Sequence, residues 1–198
     1  MSLSVALADA NVLLPRTLRD YVVYSAKVGA FQVHWSQSIL DEVSRNLVKI
    51  FGLSADDTAE LEIRLGEYLP QALVEVRLRD LKVVDKVDMD SKDRHVVAAA
   101  LSAKASILVT DNVRDFPREW LADRGIELLT AADLLVRLAT DHPEELKKAH
   151  ALTVGASPKT EDAILDTLEN QIGKKATDKV RAVLATGPEA QSESASGD

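Results

Sequence analysis

The sequence of 198 residues contains no cysteine, which excludes a disulfide framework, a thiolate zinc site and a cysteine nucleophile. Aromatic residues make up only 4% of the chain, so aliphatic side chains must fill most of the core. The longest uninterrupted apolar run, from Val96 to Leu101, is far too short for a transmembrane helix. The N-terminus also lacks the basic segment of a secretory signal. These absences favour a cytoplasmic location.

Positive charge is in deficit, because the formal net charge is −8. Such a balance argues against broad, nonspecific binding to nucleic acid. It does not exclude a nuclease, since a catalytic cluster of carboxylates would contribute to this charge and would be partly neutralised by a metal ion. The 46% of hydrophobic residues is enough for a sizeable core.

Apolar segments with strand and helix periodicities alternate along the first 140 residues, which predicts a three-layer α/β/α domain with a central, mainly parallel sheet. We expect strands at Leu3–Ala8, Phe31–Trp35, Ile107–Thr110 and Ile126–Leu129, with a further short one near Leu81–Val84. Helices are expected at Thr17–Val28, after Ser36 or Ser38 with Ile39, Leu40, Val43, Leu47 and Ile50 as its apolar stripe, after Ser54, and at Ser91–Lys104, Phe116–Asp123 and Ala131–Thr140.

The composition changes after residue 141, where strand patterns end and only helical ones follow. We therefore divide the chain into an α/β domain at residues 1–141 and a helical C-terminal extension at 142–186. The final stretch, 187–198, is rich in Ser, Ala, Glu and Gly and is expected to be disordered.

Four acidic residues, Asp9, Glu42, Asp93 and Asp111, fall where strands end or helices begin. A parallel sheet could gather them at one edge. Close carboxylates repel each other by about 1 kcal/mol per pair in water and by more when partly buried. A hard cation such as Mg²⁺ or Mn²⁺ would offset that repulsion.

Each acidic residue also has an ordinary explanation when it is taken alone. Asp9 and Asp111 suit turns or caps, and Glu42 could be a charge beside the apolar stripe of its helix. Asp93 could be the third residue of a helix that Asp90 caps, where the helix dipole favours negative charge. Their shared location at one sheet edge is what favours a site.

The segments around these residues resemble the PIN domain, a family of metal-dependent nucleases, over roughly residues 3 to 140. The strings that carry the resemblance are Asp9-Ala10-Asn11-Val12-Leu13, Trp35-Ser36 with Ile39-Leu40-Asp41-Glu42-Val43, Asp93-Arg94-His95-Val96-Val97, and Thr110-Asp111-Asn112 with Asp115-Phe116-Pro117. The similarity is greatest to VapC-like toxin ribonucleases of type II toxin–antitoxin systems that carry a C-terminal extension.

The resemblance implies that Asp9, Glu42, Asp93 and Asp111 form the catalytic acidic set. Its metal ligands would be Asp9, Asp93 and Asp111, with Asp115 as an auxiliary ligand, and Asn11 and Thr110 would support the carboxylates. The implied cofactor is Mg²⁺, with Mn²⁺ as a substitute, acting on a bound water and on the phosphate. The implied partners are an RNA substrate, a cognate antitoxin and a second copy of the chain.

Several other readings and residues stay open at this point. A non-catalytic PIN-fold binding module and a nuclease acting on DNA are the alternatives to an endoribonuclease; an aspartyl-phosphate enzyme is disfavoured because Asn11 stands where an Asp is needed. Basic residues near the acidic motifs could bind RNA phosphates, or could simply be solvated: Arg16, Arg19, Arg94 and Arg114. His95 is in reach of the site, more plausibly beside the ligands than as one of them.

Overall fold

The computed structural model describes residues 4–186. Its strands are β1 (Val5–Ala8), β2 (Gln32–His34), β3 (Ile107–Val109) and β4 (Glu127–Leu129). Its helices are α1 (Ala10–Leu13), α2 (Arg16–Lys27), α3 (Gln37–Phe51), α4 (Ala55–Tyr68), α5 (Leu78–Val84), α6 (Arg94–Ala103), α7 (Arg118–Ala122), α8 (Ala131–Asp141), α9 (Pro143–Gly155), α10 (Glu161–Ile172) and α11 (Lys174–Ala185). A 3-10 turn spans Val113–Asp115.

The four strands form one parallel sheet in the order β2-β1-β3-β4. The chain therefore moves from β1 to one side and then returns to add β3 on the other side. Short, almost fully buried strands such as β3 are typical of a parallel sheet that helices cover on both faces. The predicted α/β/α class with a parallel sheet is confirmed.

Helix boundaries follow the local capping chemistry. Ser36 begins α3 by accepting a hydrogen bond from the Ile39 amide, and Gly52 ends it in the left-handed conformation at φ 68°. Ser54 and Asp57 form a capping box at the start of α4, and Thr130 and Asp133 form another at α8. The sequence predicts these helix ends because each is fixed by its own residues.

Two local predictions are wrong. The segment near Leu81–Val84 is part of helix α5 and not a strand; its Val83 is exposed while Val84 is buried, which suits one face of a short helix. Ile50 was expected in the apolar stripe of α3, but it is 60% exposed, because the last turn of this helix extends beyond the core.

The C-terminal helices belong to the same core as the sheet. Helix α9 packs along α2, and α11 packs against α8. Apolar side chains from the extension join the hydrophobic cluster around the strands: Leu146, Ile164, Leu165, Leu168 and Val180. The predicted disorder of 187–198 lies outside the described residues. No helix within residues 4–186 has the length and apolar character needed to cross a membrane.

A buried polar relay joins the extension to α2. The Tyr21 hydroxyl, fully buried, hydrogen-bonds to His150 Nδ1, and His150 Nε2 lies 3.0 Å from a Glu161 carboxylate oxygen. Because a carboxylate can only accept, Nε2–H donates to Glu161 and the Nδ1 lone pair accepts from Tyr21. Every polar atom of this relay is then satisfied, and it links α2, α9 and α10.

Removing the Tyr21 hydroxyl should weaken this junction. We expect Tyr21→Phe to lower the free energy of unfolding by about 1–3 kcal/mol, because it leaves a buried acceptor on His150 without a donor. Urea denaturation followed by circular dichroism would measure the change. Tyr24→Phe is the matched control, since the hydroxyl of Tyr24 makes no hydrogen bond among the described residues. Equal losses in both variants would contradict a specific role for the relay.

Candidate metal centre

Two strand ends meet where the order of the sheet reverses. Asp9 directly follows β1, and Thr110 and Asp111 directly follow its neighbour β3. The Asp9 amide donates a 3.0 Å hydrogen bond to the Val109 carbonyl, which continues the strand pairing up to the first acidic residue. The crevice beyond the carboxyl ends of parallel strands at such a reversal is where open α/β sheets bind ligands.

Asp9 is buried, and its two carboxylate oxygens are held from several directions. Oδ1 accepts from the Ala10 amide at 2.7 Å, so Asp9 caps α1. Oδ2 accepts from Thr110 Oγ1 at 2.7 Å and from Asn11 Nδ2 at 2.8 Å. Burial raises the pKa of Asp9, while the hydrogen bonds from Thr110 and Ala10 oppose that rise. The carboxylate is therefore fixed in direction before any ligand is present.

Asp93 has no capping role to explain its position. It is the N-cap residue of α6, yet its side chain makes no capping hydrogen bond. The alternative in which Asp90 caps a helix with Asp93 at its third position does not hold, because the helix begins after Asp93 and Asp90 instead accepts from the Lys92 amide. Burial raises the pKa of Asp93, and the charges of Asp9 and Asp115 raise it further.

Glu42 approaches the same place from α3. Its charge adds to the rise in the Asp9 pKa, and its Oε2 lies 3.5 Å from His95 Nε2 on α6. This pair is within ion-pair distance, although the atoms are not aligned as a hydrogen bond. The neighbouring Asp41 is exposed and accepts from Gln37 instead, so the helix turns only the second of the two acidic residues towards the cluster.

Asp111 and Asp115 occupy different environments. Asp111 Oδ1 accepts from the Ala131 amide at 2.9 Å, which directs this carboxylate to the N-terminus of α8. Asp115 accepts from Asn112 Nδ2 at 2.6 Å, and its charge raises the pKa of Asp93. Asp111 is not among the groups that shift the pKa of Asp9 or Asp93. The structure thus couples Asp115, more than Asp111, to the other carboxylates.

The arginines named from the sequence are not gathered around the carboxylates. Arg19 is buried and donates to the Leu13 carbonyl at 2.9 Å, so it supports α1 and does not face solvent. Arg16 donates to the Ala156 carbonyl, Arg94 lies 4.0 Å from Asp85, and Arg114 is exposed. None of these four arginines is among the charges that shift the pKa of Asp9 or Asp93.

The donor set suits a hard divalent cation in its chemistry. Carboxylate oxygens of Asp9, Asp93, Asp115 and Glu42 are the ligands that Mg²⁺ and Mn²⁺ prefer, and their mutual repulsion is what a cation would relieve. Over residues 4–186, however, no three histidine, aspartate or glutamate side chains are arranged as an assembled coordination group. Binding of a cation would have to draw the carboxylates closer together.

A parallel α/β sheet with carboxylates at its reversal point defines a class of hydrolytic metal sites. Within that class, residues 5–114 match the family model described as PIN domain. Since this match covers more than half of the 198 residues, the chain belongs to the PIN domain family. The predicted membership is confirmed.

One curated relative is a Mycobacterium tuberculosis (strain ATCC 25618 / H37Rv) protein named "Putative ribonuclease VapC50", to which this chain is 35% identical over 100 residues. The matched region covers 48% of this chain and 58% of that relative, so the chain spans less than two thirds of the relative's length. No solved structure gives a significant match.

The crowding of carboxylates should be visible in the stability of the metal-free protein. A raised pKa for Asp93 in the folded state means that its stabilising contribution is present below the unfolded value of 3.8 and is lost as pH rises through the folded pKa. We therefore expect Asp93→Asn to unfold at higher urea concentration than the wild type at pH 7 with chelator, by about 1 kcal/mol.

The difference between Asp93→Asn and the wild type should shrink as pH falls towards 3.8, because the wild-type carboxyl then becomes neutral too. Asp88→Asn is the control, since Asp88 is exposed and is not among the charges that shift the pKa of Asp93. A destabilised Asp93→Asn variant at pH 7 would show that Asp93 makes a favourable contact in the metal-free protein and would contradict the repulsion argument.

Proposed function

We propose that this protein is a Mg²⁺- or Mn²⁺-dependent endoribonuclease that acts as the toxin of a toxin–antitoxin pair. The observation that carries the proposal is the buried Asp9 carboxylate, which Thr110 and Asn11 aim into the crevice where other carboxylates approach. Membership of the PIN domain family and the likeness to a protein named as a ribonuclease support it. The activity would be cytoplasmic.

The residues that would hold the cation come from separate elements. Asp9 and Asp93 are the central ligands, because each has a pKa raised by burial and by other carboxylates. Asp115 is favoured as the third ligand by its influence on Asp93, while Asp111, expected as a ligand from the family resemblance, is engaged by the Ala131 amide. Glu42 would contribute the remaining catalytic carboxylate.

When bound, the cation would activate water for attack on a phosphodiester and would neutralise the phosphate. The chain's own contribution is orientation. Thr110 Oγ1 donates to Asp9 and at the same time accepts from Asn11 Nδ2 at 2.9 Å and from the Asn112 amide at 3.1 Å. A hydroxyl whose lone pairs are occupied in this way keeps its proton on Asp9 and prevents the carboxylate from rotating.

Cleavage assays on matched substrates test the reaction. We expect the wild type to cut structured RNA with Mg²⁺ or Mn²⁺ and to be inactive with chelator. Asp9→Asn and Asp93→Asn should lose about 100-fold or more of the rate, because each removes a charged ligand. Asp88→Asn should retain activity. Cleavage that survives chelation or both substitutions would refute the proposal, and preferential cutting of a DNA strand of the same sequence would reassign the substrate.

The same preparations can separate Asp111 from Asp115. If Asp115 is the third ligand, Asp115→Asn should weaken Mn²⁺ binding by about 10-fold or more, and Asp111→Asn by less. Calorimetric titration with Mn²⁺ in the absence of RNA measures both affinities. A larger loss for Asp111→Asn would assign that position to the metal and would mean that its bond to Ala131 breaks on binding.

A cleft between α2, α3 and α4 supports the proposal of an antitoxin partner. It has a volume of about 1010 Å³, and its lining is apolar where Leu47, Phe51 and Leu65 meet. Phe51 is 59% exposed, and other apolar side chains nearby on α3 and α4 are also exposed: Val48, Ile50 and Ile63. Exposed apolar surface of this kind, concentrated at a cleft, marks protein interaction sites.

We expect Phe51→Glu to disrupt co-purification with the small protein encoded beside this one, because a buried charge in the cleft would be unpaired. Ile50→Glu is the matched control: Ile50 is 60% exposed on the same helix but does not line the cleft. Size-exclusion chromatography of the co-expressed pair measures the complex. If both substitutions weakened it equally, or neither did, the partner would bind elsewhere.

A further inference from the structure

His95 lies among the carboxylates, and the proposed reaction so far gives it no task. It follows Asp93 by two residues in the first turn of α6, and its side chain is 26% exposed. Its charge lowers the pKa of both Asp9 and Asp93. Among the neighbours that shift these two groups through their charge, all the others are acidic, so His95 is the basic side chain closest to the centre of the cluster.

The imidazole ring is fixed by one strong contact. Nδ1 lies 2.7 Å from the Lys92 carbonyl oxygen, and since a carbonyl oxygen can only accept, Nδ1–H is the donor. The acceptor is backbone at the beginning of α6 and does not move independently of the helix. The opposite edge of the ring, Nε2, is therefore held in a defined direction.

That direction is towards Glu42. Nε2 is buried, has no hydrogen-bond partner among the described residues, and lies 3.5 Å from Glu42 Oε2. Glu42 itself is 38% exposed at the side chain, and within residues 4–186 no hydrogen bond holds its carboxylate. A glutamate has three side-chain torsions and loses more than 1 kcal/mol of conformational entropy when it is fixed, so its location depends on such a neighbour.

The adjacent basic residue cannot do the same. Arg94 turns away from the cluster, where its guanidinium lies 4.0 Å from Asp85 and 3.5 Å from the Val87 carbonyl. A purely structural role for His95 is also a poor fit, because its ring is partly exposed and is not part of the hydrophobic core. The ring instead bridges two helices, α6 and α3, that each carry one acidic residue of the site.

We propose that His95 is the positioning residue for Glu42: anchored to the Lys92 carbonyl, it holds the Glu42 carboxylate at the edge of the metal centre. The inference rests on the proposed metal-dependent nuclease function. His95 touches neither substrate nor metal in this scheme, and it acts only through Glu42. Its loss should then matter only while Glu42 is present.

A double-mutant cycle on metal binding tests this coupling without RNA. Mn²⁺ affinity is measured from the electron paramagnetic resonance signal of free Mn²⁺, for His95→Asn, Glu42→Gln and the double variant. Asn retains a donor for the Lys92 carbonyl and removes the distal nitrogen. We expect about 10-fold weaker binding in each single variant, the scale seen for residues that orient ligands, and no further loss in the double variant.

His95→Gln provides the rescue, because its amide nitrogen can reach the place of Nε2; we expect affinity within about threefold of the wild type, on the scale of one weak contact. His34→Asn is the matched control, since His34 likewise contacts a backbone carbonyl, that of Ala72, at 3.2 Å but has no carboxylate beside it. Its Mn²⁺ affinity should be unchanged.

Additive losses in the double variant, no loss in His95→Asn, or equal losses in His95→Asn and His95→Gln would each overturn the inference. Should His95→Asn fail to fold in a thermal melt, Glu42→Asp tests the contact from the other side: it keeps the charge but withdraws the carboxylate from Nε2, and Mn²⁺ affinity should fall as in Glu42→Gln. An unchanged affinity in Glu42→Asp would overturn the inference as well.

RNA cleavage by the same variants separates this inference from the proposed function. In a wild type that cuts RNA, His95→Asn should lower kcat with little change in KM, because Glu42 does not bind the body of the RNA. A wild type that binds Mn²⁺ with the predicted coupling but cuts no RNA would refute the ribonuclease proposal alone. Additive Mn²⁺ losses in an active ribonuclease would refute the positioning role alone.

Discussion

The burial of one carboxylate, that of Asp9, is the constraint on which the arrangement of the site depends. An ionised carboxylate removed from water is costly unless hydrogen bonds or a cation compensate it. The chain compensates with donors that come from both strand ends at the reversal of the sheet, the Ala10 amide, Asn11 and Thr110. These donors require β1 and β3 to be adjacent and in register, so the geometry of the site and the topology of the sheet are one requirement.

The same requirement gives the C-terminal extension a part in the site. Asp9 caps α1, and the buried Arg19 of α2 donates to the carbonyl of Leu13 at the end of that short helix. Helix α9 packs along α2 and is tied to it by the Tyr21–His150 bond and by Arg16 at the Ala156 carbonyl. A four-residue helix cannot hold its own position. Its support passes through α2 to the extension, which is therefore structural to the acidic centre.

The features predictable from sequence are those that a few neighbouring residues determine. The strand that leads to Asp9, the Ser36 cap and the Gly52 end of α3 all follow from local chemistry. The helix at Leu78–Val84 was missed because seven residues with mixed apolar spacing do not distinguish a short helix from a strand. The environment of Asp111 was beyond sequence reasoning, because it depends on the amide of Ala131, twenty residues away. The contact between His95 and Glu42 likewise depends on how α3 and α6 meet.

The use of positive charge completes the argument for a cation. Several arginines are engaged within the protein: Arg19 with backbone carbonyls, Arg77 with Asp80, Arg137 with Glu127 and Arg181 with Asp166. Among the groups that shift the pKa of Asp9 and Asp93, only His95 counters the negative charge. One imidazole cannot balance four carboxylates and also attract a phosphodiester. The neutralisation that RNA would need in this crevice must come from outside the chain, and the oxygen-rich donor set makes a hard divalent cation the group that fits it.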